Sequence, residues 1–446
     1  MTDPLPIQSA TGPLRAAVRP PGSKSITNRA LLLAALGDGA SRIEHALRSD
    51  DTDALVAALR TLGVAIDFDG DAIVVEGCDG RLPRGGSIDL GDGGTPTRFM
   101  LAAACLAAGT VEIDGSPRLR ERPIADGVDL LRLLGATIEY MEAPGRLPVR
   151  VHGGARASGA GAVRGASTGL HGGRVRVGAT SSSQFISALM LVAPFLREGL
   201  EIEYLSAPTS ASYLSLTRAV LRAVGVEVRD SSLVGPRCDR IAATRVRVGA
   251  FAVEPDASSA AYWFVASALV PGSRIVVDGL AAGSPQPDIG MLEVLERVGA
   301  SWTSSRSPRR TIVEGPPRLR PFDLDLGHMP DGAMAAAMLA ARAEGPSTLR
   351  GLETLRVKET DRIAALATEL AKLGCRTTAT DHTLRIDPVD AHERPVVIAT
   401  YNDHRMAMAF AVLGLARRGI SIEHPECVGK SYRSFWEDLA RVRGVP

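Results

Sequence analysis

The stretch LRTLGVAIDF, Leu59–Phe68, ends an amphipathic helical pattern with a glycine and continues as a short extended run. Leu55, Leu59 and Leu62 fall on one helix face, and glycine readily ends a helix. The phrase recurs as LRLLGATIEY, LRAVGVEVRD, LERVGASWTS and LAKLGCRTTA. Its glycines are Gly63, Gly135, Gly225, Gly299 and Gly374, at intervals of 72, 90, 74 and 75 residues. This period predicts internal structural repeats.

A sixth copy of the phrase, LARVRGVP, stands at Leu439–Pro446, with its glycine at Gly444 and no residues left for a strand. Six units of about 75 residues would account for nearly the whole chain. We therefore expect the N-terminal residues to supply the missing part, so that both termini share a domain. Within each unit, helix, glycine, strand, turn and strand follow one another, which predicts an α+β fold class.

The composition excludes some classes of function. The chain has 446 residues, enough for two domains, with 45% hydrophobic and 23% charged residues. A net charge of +1 and 4% aromatic residues predict no nucleic-acid binding. The eight histidines are dispersed, so we expect no metal and no cofactor.

The spacing of the cysteines and the length of the apolar runs indicate the cellular compartment. The five cysteines include no C-x-x-C pair, which is typical of reduced thiols in the cytoplasm. The longest apolar run, Phe99–Ala108, has ten residues and is too short to span a membrane. The first residues, MTDPLPIQSA, lack the features of a signal peptide. We expect a soluble cytoplasmic protein.

The Gly/Ala/Ser-rich insertion Gly153–Gly173 predicts a mobile surface loop without a role in the chemistry.

Short polar clusters precede or open the apolar helices. Lys24 lies in GSKS, where a nucleotide-binding Walker loop would need a different order of residues. Thr95 and Pro96 predict an N-cap and first helical residue, and Ser182 or Ser183 predicts another N-cap. At helix N-termini, free backbone N–H groups and the helix dipole attract anions.

Cations are unusually frequent in these clusters. A cation at a helix N-terminus is disfavoured by about 0.3 to 1 kcal/mol. Several together indicate a site for phosphates or carboxylates, which arginine holds with two hydrogen bonds. Considered one at a time, the charged residues of these clusters have simpler interpretations. A single Lys or Arg can be a surface charge, and His404 can be a core histidine. Asp331 can be a helix cap, and Glu359 with Arg362 can be a surface pair. The cations are Lys24, Arg29, Arg98, Arg122, Lys358, Arg362, His404 and Arg405.

The segments PGSKSITNRALLLAAL, GGTPTRFMLAAA, RERPIADGVDLLRLLGA, SSSQFISALML, DASSAAYWFVA, RVKETDRIAALATEL and ATYNDHRMAMAFA span nearly the whole chain. Together they resemble the enolpyruvyl transferase family, in particular its members that act on shikimate 3-phosphate. The resemblance implies two similar domains, each of three βαβαββ repeats around a pseudo-threefold axis. It places residues 1–21 with 255–446 in one domain and 22–254 in the other. The active site would lie in the interdomain cleft of a monomer.

The resemblance implies transfer of the enolpyruvyl group from phosphoenolpyruvate to the 5-hydroxyl of shikimate 3-phosphate. The reaction would run by addition and elimination through a tetrahedral intermediate. By similarity, Asp331 is the base near the attacked hydroxyl, Glu359 protonates the methylene carbon, and Lys24 assists beside the phosphate. The implied phosphoenolpyruvate-binding residues are Lys24, Gly94, Arg122, Gln184, Arg362, Arg405 and Lys430. The implied shikimate 3-phosphate-binding residues are Lys24, Ser25, Arg29, Ser182, Ser183, Gln184, Ser210, Tyr213, Asp331 and Lys358.

Two positions depart from the family pattern, and two rival functions stay open. Asp92 and Thr354 stand where family members commonly carry asparagine, and the carboxylate of Asp92 would repel phosphoenolpyruvate unless it is turned away or paired. The family's phosphoenolpyruvate site also accepts glyphosate, for which Gly94 leaves room. One rival is an enolpyruvyl transferase acting on UDP-N-acetylglucosamine, although the loop GSPRLRERP lacks that enzyme's reactive cysteine. The other is a non-catalytic phosphosugar-binding homologue.

Overall fold

A computed structural model describes residues 2–154, 170–231, 237–388 and 392–444. The chain forms two compact units. Unit 1 comprises Met1–Pro21 and Glu254–Pro446, and unit 2 comprises Gly22–Val253. Both termini therefore belong to unit 1. Of the insertion expected to be a surface loop, residues 155–169 lie outside the described residues.

The described helices are α1 (Lys24–Leu36), α2 (Asp50–Thr61), α3 (Gly94–Ala104), α4 (Pro117–Glu121), α5 (Ala125–Leu133), α6 (Ser183–Val192), α7 (Ala211–Ala223), α8 (Ala257–Leu269), α9 (Met291–Val298), α10 (Ala333–Ala340), α11 (Arg362–Lys372), α12 (His404–Ala416) and α13 (Phe435–Arg443). Short 3-10 helices cover Ala193–Phe195, Pro287–Gly290, Glu353–Val357 and Pro425–Lys430.

The described strands are β1 (Leu5–Pro6), β2 (Arg15–Val18), β3 (Ala40–Glu44), β4 (Ala65–Asp69), β5 (Ala72–Glu76), β6 (Gly86–Asp89), β7 (Thr110–Asp114), β8 (Thr137–Tyr140), β9 (Val149–His152), β10 (Gly173–Val177), β11 (Leu200–Tyr204), β12 (Val228–Ser231), β13 (Cys238–Ile241), β14 (Ala250–Ala252), β15 (Arg274–Asp278), β16 (Ser301–Arg306), β17 (Arg309–Glu314), β18 (Asp323–Asp325), β19 (Ser347–Arg350), β20 (Arg376–Ala379), β21 (Thr383–Asp387), β22 (Val396–Ile398) and β23 (Ile420–Ile422).

Five four-stranded sheets share one topology, exemplified by the order β6-β7-β9-β8. In each sheet two parallel strands lie side by side, and an antiparallel hairpin pairs with the second of them. One helix joins the parallel strands directly in three of these sheets, whereas in β14-β3-β5-β4 and β2-β15-β17-β16 the two parallel strands come from distant parts of the chain. This is a βαβαββ repeat. Unit 2 holds the sheets β14-β3-β5-β4, β6-β7-β9-β8 and β10-β11-β13-β12, and unit 1 holds β2-β15-β17-β16 and β18-β19-β21-β20. The α+β prediction with three repeats per unit is confirmed.

The sixth sheet contains β22, β23 and β1 among the described residues. β1 pairs antiparallel with β23, where the fourth strand of the other repeats lies. The N-terminal residues thus complete the last repeat, as the sequence predicts. The glycine of each recurring phrase follows the second helix of its repeat and has φ between 81° and 97°. Glycine adopts this left-handed conformation at little cost, and it ends the helix before the next strand.

The first helix of each repeat forms the centre of its unit. α1, α3 and α6 pack against one another in unit 2, as do α8, α10 and α12 in unit 1. All six are buried along most of their length, which explains why their sequences are apolar on every side. Contacts between residues at their starts, such as the Gln184 side chain with that of Thr95, show that these helices begin at one end of the unit.

Side chains cap several of the inner helices, and the predicted cap at Ser182 is confirmed. The side chains of Ser23, Ser182 and Asp403 cap α1, α6 and α12. The prediction that Thr95 caps a helix starting at Pro96 is wrong, because α3 begins at Gly94 with Gly93 as N-cap. Pro96 is tolerated there, since the first helical N–H groups have no partner within the helix. No described helix is long and apolar enough to cross a bilayer.

Candidate active site

In unit 1, the side chain of Arg362 organises a network of carboxylates. Arg362 opens α11 and is 1% exposed. Its Nε and Nη2 donate to the two oxygens of Asp403, at 2.7 and 3.2 Å. Its Nη1 donates to Asp331 at 3.0 Å, and its Nη2 also donates to Glu359 at 2.9 Å. These bonds occupy four of the five N–H groups of the guanidinium. The alternative of a surface pair between Glu359 and Arg362 is therefore excluded.

Asp331 lies just before α10 and does not cap it, because Gly332 is the N-cap. Its Oδ1 lies 3.0 Å from Arg362 Nη1 and 3.3 Å from Lys358 Nζ, and its Oδ2 lies 3.0 Å from Arg405 Nη2. Burial raises the pKa of an aspartate, but Arg405, Lys358 and Arg362 outweigh it and hold the pKa of Asp331 well below its usual range. The carboxylate is thus ionised while 17% of the side chain stays exposed.

Glu359 is the second partly exposed carboxylate of the cluster. Its Oε1 lies 3.4 Å from Lys430 Nζ, and 14% of its side chain is exposed. Lys430 ends the last 3-10 helix and is 8% exposed. Unit 1 therefore brings together every residue that the sequence assigned to it, namely Asp331, Lys358, Glu359, Arg362, Arg405 and Lys430.

Two carboxylates of unit 1 were missed by the sequence reasoning. Asp403 is fully buried, caps α12 and pairs with Arg362 through both oxygens. Asp288 is 1% exposed, and it accepts hydrogen bonds from the Ser258 hydroxyl and the Gly332 N–H. Burial and the nearby Asp331 raise the pKa of Asp288 to about 6. An N-cap signal before Arg405 could have identified Asp403, but nothing local in the sequence distinguishes Asp288.

In unit 2, Lys24 is the first residue of α1, and its Nζ lies 3.0 Å from Asp51 Oδ2. Asp51, in the first turn of α2, is nearly buried, with 4% of its side chain exposed. This ion pair orients the partly exposed ammonium group of Lys24. The sequence analysis identified Lys24 but not Asp51.

Arg122 and Gly94 lie in direct contact. A Cβ added to Gly94 would lie 2.4 Å from Arg122 Nη1. Arg122 is 9% exposed, and within the described residues no ion pair or hydrogen bond engages its guanidinium. A nearly buried guanidinium without an acidic partner is costly unless an anion binds to it. The absence of a side chain at Gly94 is what lets the guanidinium pack directly against the start of α3.

The start of α6 lies beside the start of α3. Ser182 caps α6, Ser183 is 3% exposed, and Gln184 Nε2 donates to Thr95 Oγ1 at 3.0 Å. Thr95 was expected to be a cap and is instead part of this contact. Hydroxyl and amide groups thus line the ends of two helices whose N-termini favour anions.

Arg29 is engaged inside unit 2. Its guanidinium donates to the Ser25 carbonyl at 2.8 Å, the Thr217 hydroxyl at 2.9 Å and the Tyr213 carbonyl at 3.5 Å. Burial lowers its pKa to about 10. Arg29 therefore ties together the starts of α1 and α7, and its contact with a substrate stays a prediction. Ser210 precedes α7 with φ of 49°.

The two departures from the family pattern occupy distinct surroundings. The Asp92 carboxylate accepts a hydrogen bond from the Ser116 hydroxyl, and its effect on phosphoenolpyruvate stays a prediction. The Thr354 hydroxyl is buried and has no hydrogen-bond partner among the described residues. Those residues also contain no group of three acidic, histidine or cysteine side chains arranged to hold a metal ion.

The chain was compared with known proteins. The family model for EPSP synthase (3-phosphoshikimate 1-carboxyvinyltransferase) matches residues 9–439. Two proteins of that name, from Methanoculleus marisnigri and Serratia proteamaculans, are 37% and 38% identical over 433 and 447 residues. The first alignment covers 97% of both chains and the second 99% of both.

Solved structures agree on the fold. EPSP synthase from Acinetobacter baumannii has a TM-score of 0.79 at 24% identity, with 99% of this chain and 98% of that chain covered. The enolpyruvyl transferase NikO from Streptomyces tendae has a TM-score of 0.73 at 20% identity, with the same coverage. The match of the family model over nearly the whole length, with relatives above 30% identity, shows that the chain belongs to the EPSP synthase family.

Proposed function

We propose that the chain transfers the enolpyruvyl group of phosphoenolpyruvate to the 5-hydroxyl of shikimate 3-phosphate and releases inorganic phosphate. Membership of the EPSP synthase family supports the reaction. The observation that carries the mechanism is the ionised, partly exposed carboxylate of Asp331 beside Glu359.

Asp331 is the general base in this proposal. Three cations contact its carboxylate and keep it in the unprotonated form that a base requires, although they also lower its basicity. It takes the proton of the 5-hydroxyl as the oxygen attacks C2 of phosphoenolpyruvate. The cations also neutralise charge that develops near the reacting atoms.

Glu359 is the acid and base at the methylene carbon. It gives a proton to C3 during addition, which completes the tetrahedral intermediate. In elimination it removes a proton from the same carbon as the C2–O bond to phosphate breaks. Its contacts with Arg362 and Lys430 fix the orientation of the carboxyl group.

Unit 2 supplies binding groups in this scheme. Arg122, without an acidic partner among the described residues, packs against Gly94 and holds an oxyanion of phosphoenolpyruvate. Lys24 neutralises the transferring phosphate. The hydroxyl and amide groups of Ser182, Ser183 and Gln184 hold shikimate 3-phosphate. We further propose that the protein acts as a cytoplasmic monomer.

Phosphate release by purified protein, with each substrate alone and with both, tests the reaction. We expect turnover only with both substrates, unchanged by a chelator. Replacing shikimate 3-phosphate with UDP-N-acetylglucosamine should abolish it. Absence of turnover with both substrates would refute the proposal.

Variants test the assigned roles. Asp331→Ala and Glu359→Gln should each reduce kcat by about 100-fold or more, the scale of a lost general acid or base. Lys24→Met removes a positive charge beside the phosphate and should reduce kcat by a similar factor of about 100. Asp67→Asn, at a side chain that is 92% exposed, is the control for removal of an aspartate charge. Full activity of Glu359→Gln would contradict the proton-donor role.

A further inference from the structure

A buried carboxylate outside the cluster described above holds the loop that leads into α12. Glu369 lies on α11 and is fully buried. Its Oε1 accepts the Tyr401 hydroxyl at 2.8 Å, and its Oε2 accepts the Ala399 N–H at 3.1 Å. Lys372 Nζ lies 2.6 Å from the same Oε2 and balances the charge.

The loop is held by α11 at a second point. Arg362 and Glu369 are seven residues apart, two helical turns, and therefore lie on the same face of α11. Arg362 binds the carboxylate of Asp403 at the end of the loop, while Glu369 binds Ala399 and Tyr401 near its start. The face of one helix thus fixes the loop on both sides.

The conformation of the loop requires such support. Tyr401 and Asn402 have φ of 54° and 55°. Two consecutive non-glycine residues in the left-handed region are unfavourable and persist where surrounding contacts impose them. Tyr401 is 42% exposed, so packing alone does not fix its ring. The hydroxyl of Tyr401 is instead held by polar contacts, of which the bond to Glu369 is one and a contact with the Thr368 side chain is another.

The residues that follow Asn402 contact the groups proposed to act in the reaction. Asp403 anchors Arg362, and Arg405 contacts Asp331. From this geometry, we propose that Glu369 and Tyr401 are positioning residues, which hold the start of α12 so that Arg405 and Asp403 are aligned for the reaction. The inference rests on the proposed function.

Tyr401→Phe removes one hydroxyl from a partly exposed ring and leaves the rest of the loop intact. A misplaced Arg405 should affect the substrate that it is proposed to bind. We expect kcat/KM for phosphoenolpyruvate to fall about tenfold and KM for shikimate 3-phosphate to change less than twofold, because small displacements of binding groups are costly to catalysis. Thermal unfolding is measured in parallel.

Tyr204→Phe is the matched control. Tyr204 is 7% exposed, and its hydroxyl donates to Asp239 at 2.5 Å in the third repeat of unit 2. This variant should lower Tm while both kinetic constants stay within twofold of the unsubstituted chain. Kinetic constants of Tyr401→Phe that also stay within twofold would overturn the inference. If the unsubstituted protein has no turnover, the proposed function itself fails.

Discussion

Asp331 and Glu359 accept hydrogen bonds from the two terminal nitrogens of one guanidinium, that of Arg362, at 3.0 and 2.9 Å. The proposed base and the proposed acid are thereby fixed relative to each other by a planar, always charged group. The same guanidinium binds Asp403 at the start of α12, so three segments distant in the sequence share one anchor.

Arg362→Lys tests this anchor. A lysine ammonium cannot make the four directed bonds of the guanidinium, and buried Asp403 would lose its bidentate partner. We expect kcat to fall about 100-fold and the free energy of unfolding to fall by about 3 kcal/mol, as when a buried ion pair is broken. Denaturant unfolding and steady-state kinetics measure the two effects. Arg229→Lys, at a side chain that is 75% exposed, is the control and should change neither.

Gly94→Ala tests the packing of Arg122 against the start of α3. The new Cβ would lie 2.4 Å from Arg122 Nη1, so the guanidinium must move. We expect KM for phosphoenolpyruvate to rise about tenfold, about 1.4 kcal/mol in binding, with little change in KM for shikimate 3-phosphate. Gly12→Ala is the control, since nothing lies within 4 Å of its Cβ position. Equal effects on both substrates would argue against a local clash.

The stability of the protein should depend on Asp288 between about pH 4 and pH 6. Burial, together with Asp331, raises its pKa from 3.8 to about 6, so in this window the folded protein binds more protons than the unfolded chain. Stability therefore falls as pH rises through the window, by about 3 kcal/mol at most for this group. Asp331 has the opposite effect. Because its pKa is depressed, the stability that it contributes is lost as pH falls, below this window.

Asp288→Asn removes this titration and keeps an oxygen to accept the Gly332 N–H. We expect the variant to gain stability relative to the unsubstituted chain when pH is raised from 4 to 7, as measured by denaturant unfolding at each pH. A difference between the two proteins that is the same at every pH would show that Asp288 does not titrate in this range.

Asp92→Asn tests the cost of the unusual carboxylate. Asparagine can still accept the Ser116 hydroxyl, so the substitution changes mainly the charge. We expect KM for phosphoenolpyruvate to fall about threefold, because a nearby negative charge disfavours an anion. An unchanged KM would mean that the side chain is too distant or too well paired to act on the substrate.

The repeat pattern and its glycines were predictable from the sequence, because a helix end needs a residue suited to positive φ and an inner helix needs apolar residues on all sides. Thr95 and Pro96 were misassigned, since proline is acceptable at several positions in the first helical turn. Asp403 carried an N-cap signal beside Arg405, whereas Asp288 and Glu369 resemble ordinary acidic residues of their segments.

By itself, the sequence determined the six repeats, the sharing of unit 1 by both termini and the polar clusters at helix starts, because these depend on local periodicity and capping. Only the tertiary structure decided which charges meet. Packing in unit 1 brings the start of α11 beside the starts of α10 and α12, and it places the guanidinium of Arg362 against Asp331, Glu359 and Asp403. The bonds from Arg362 to Asp331 and to Asp403 join residues 31 and 41 positions apart, and the order of residues along the chain does not encode such contacts locally.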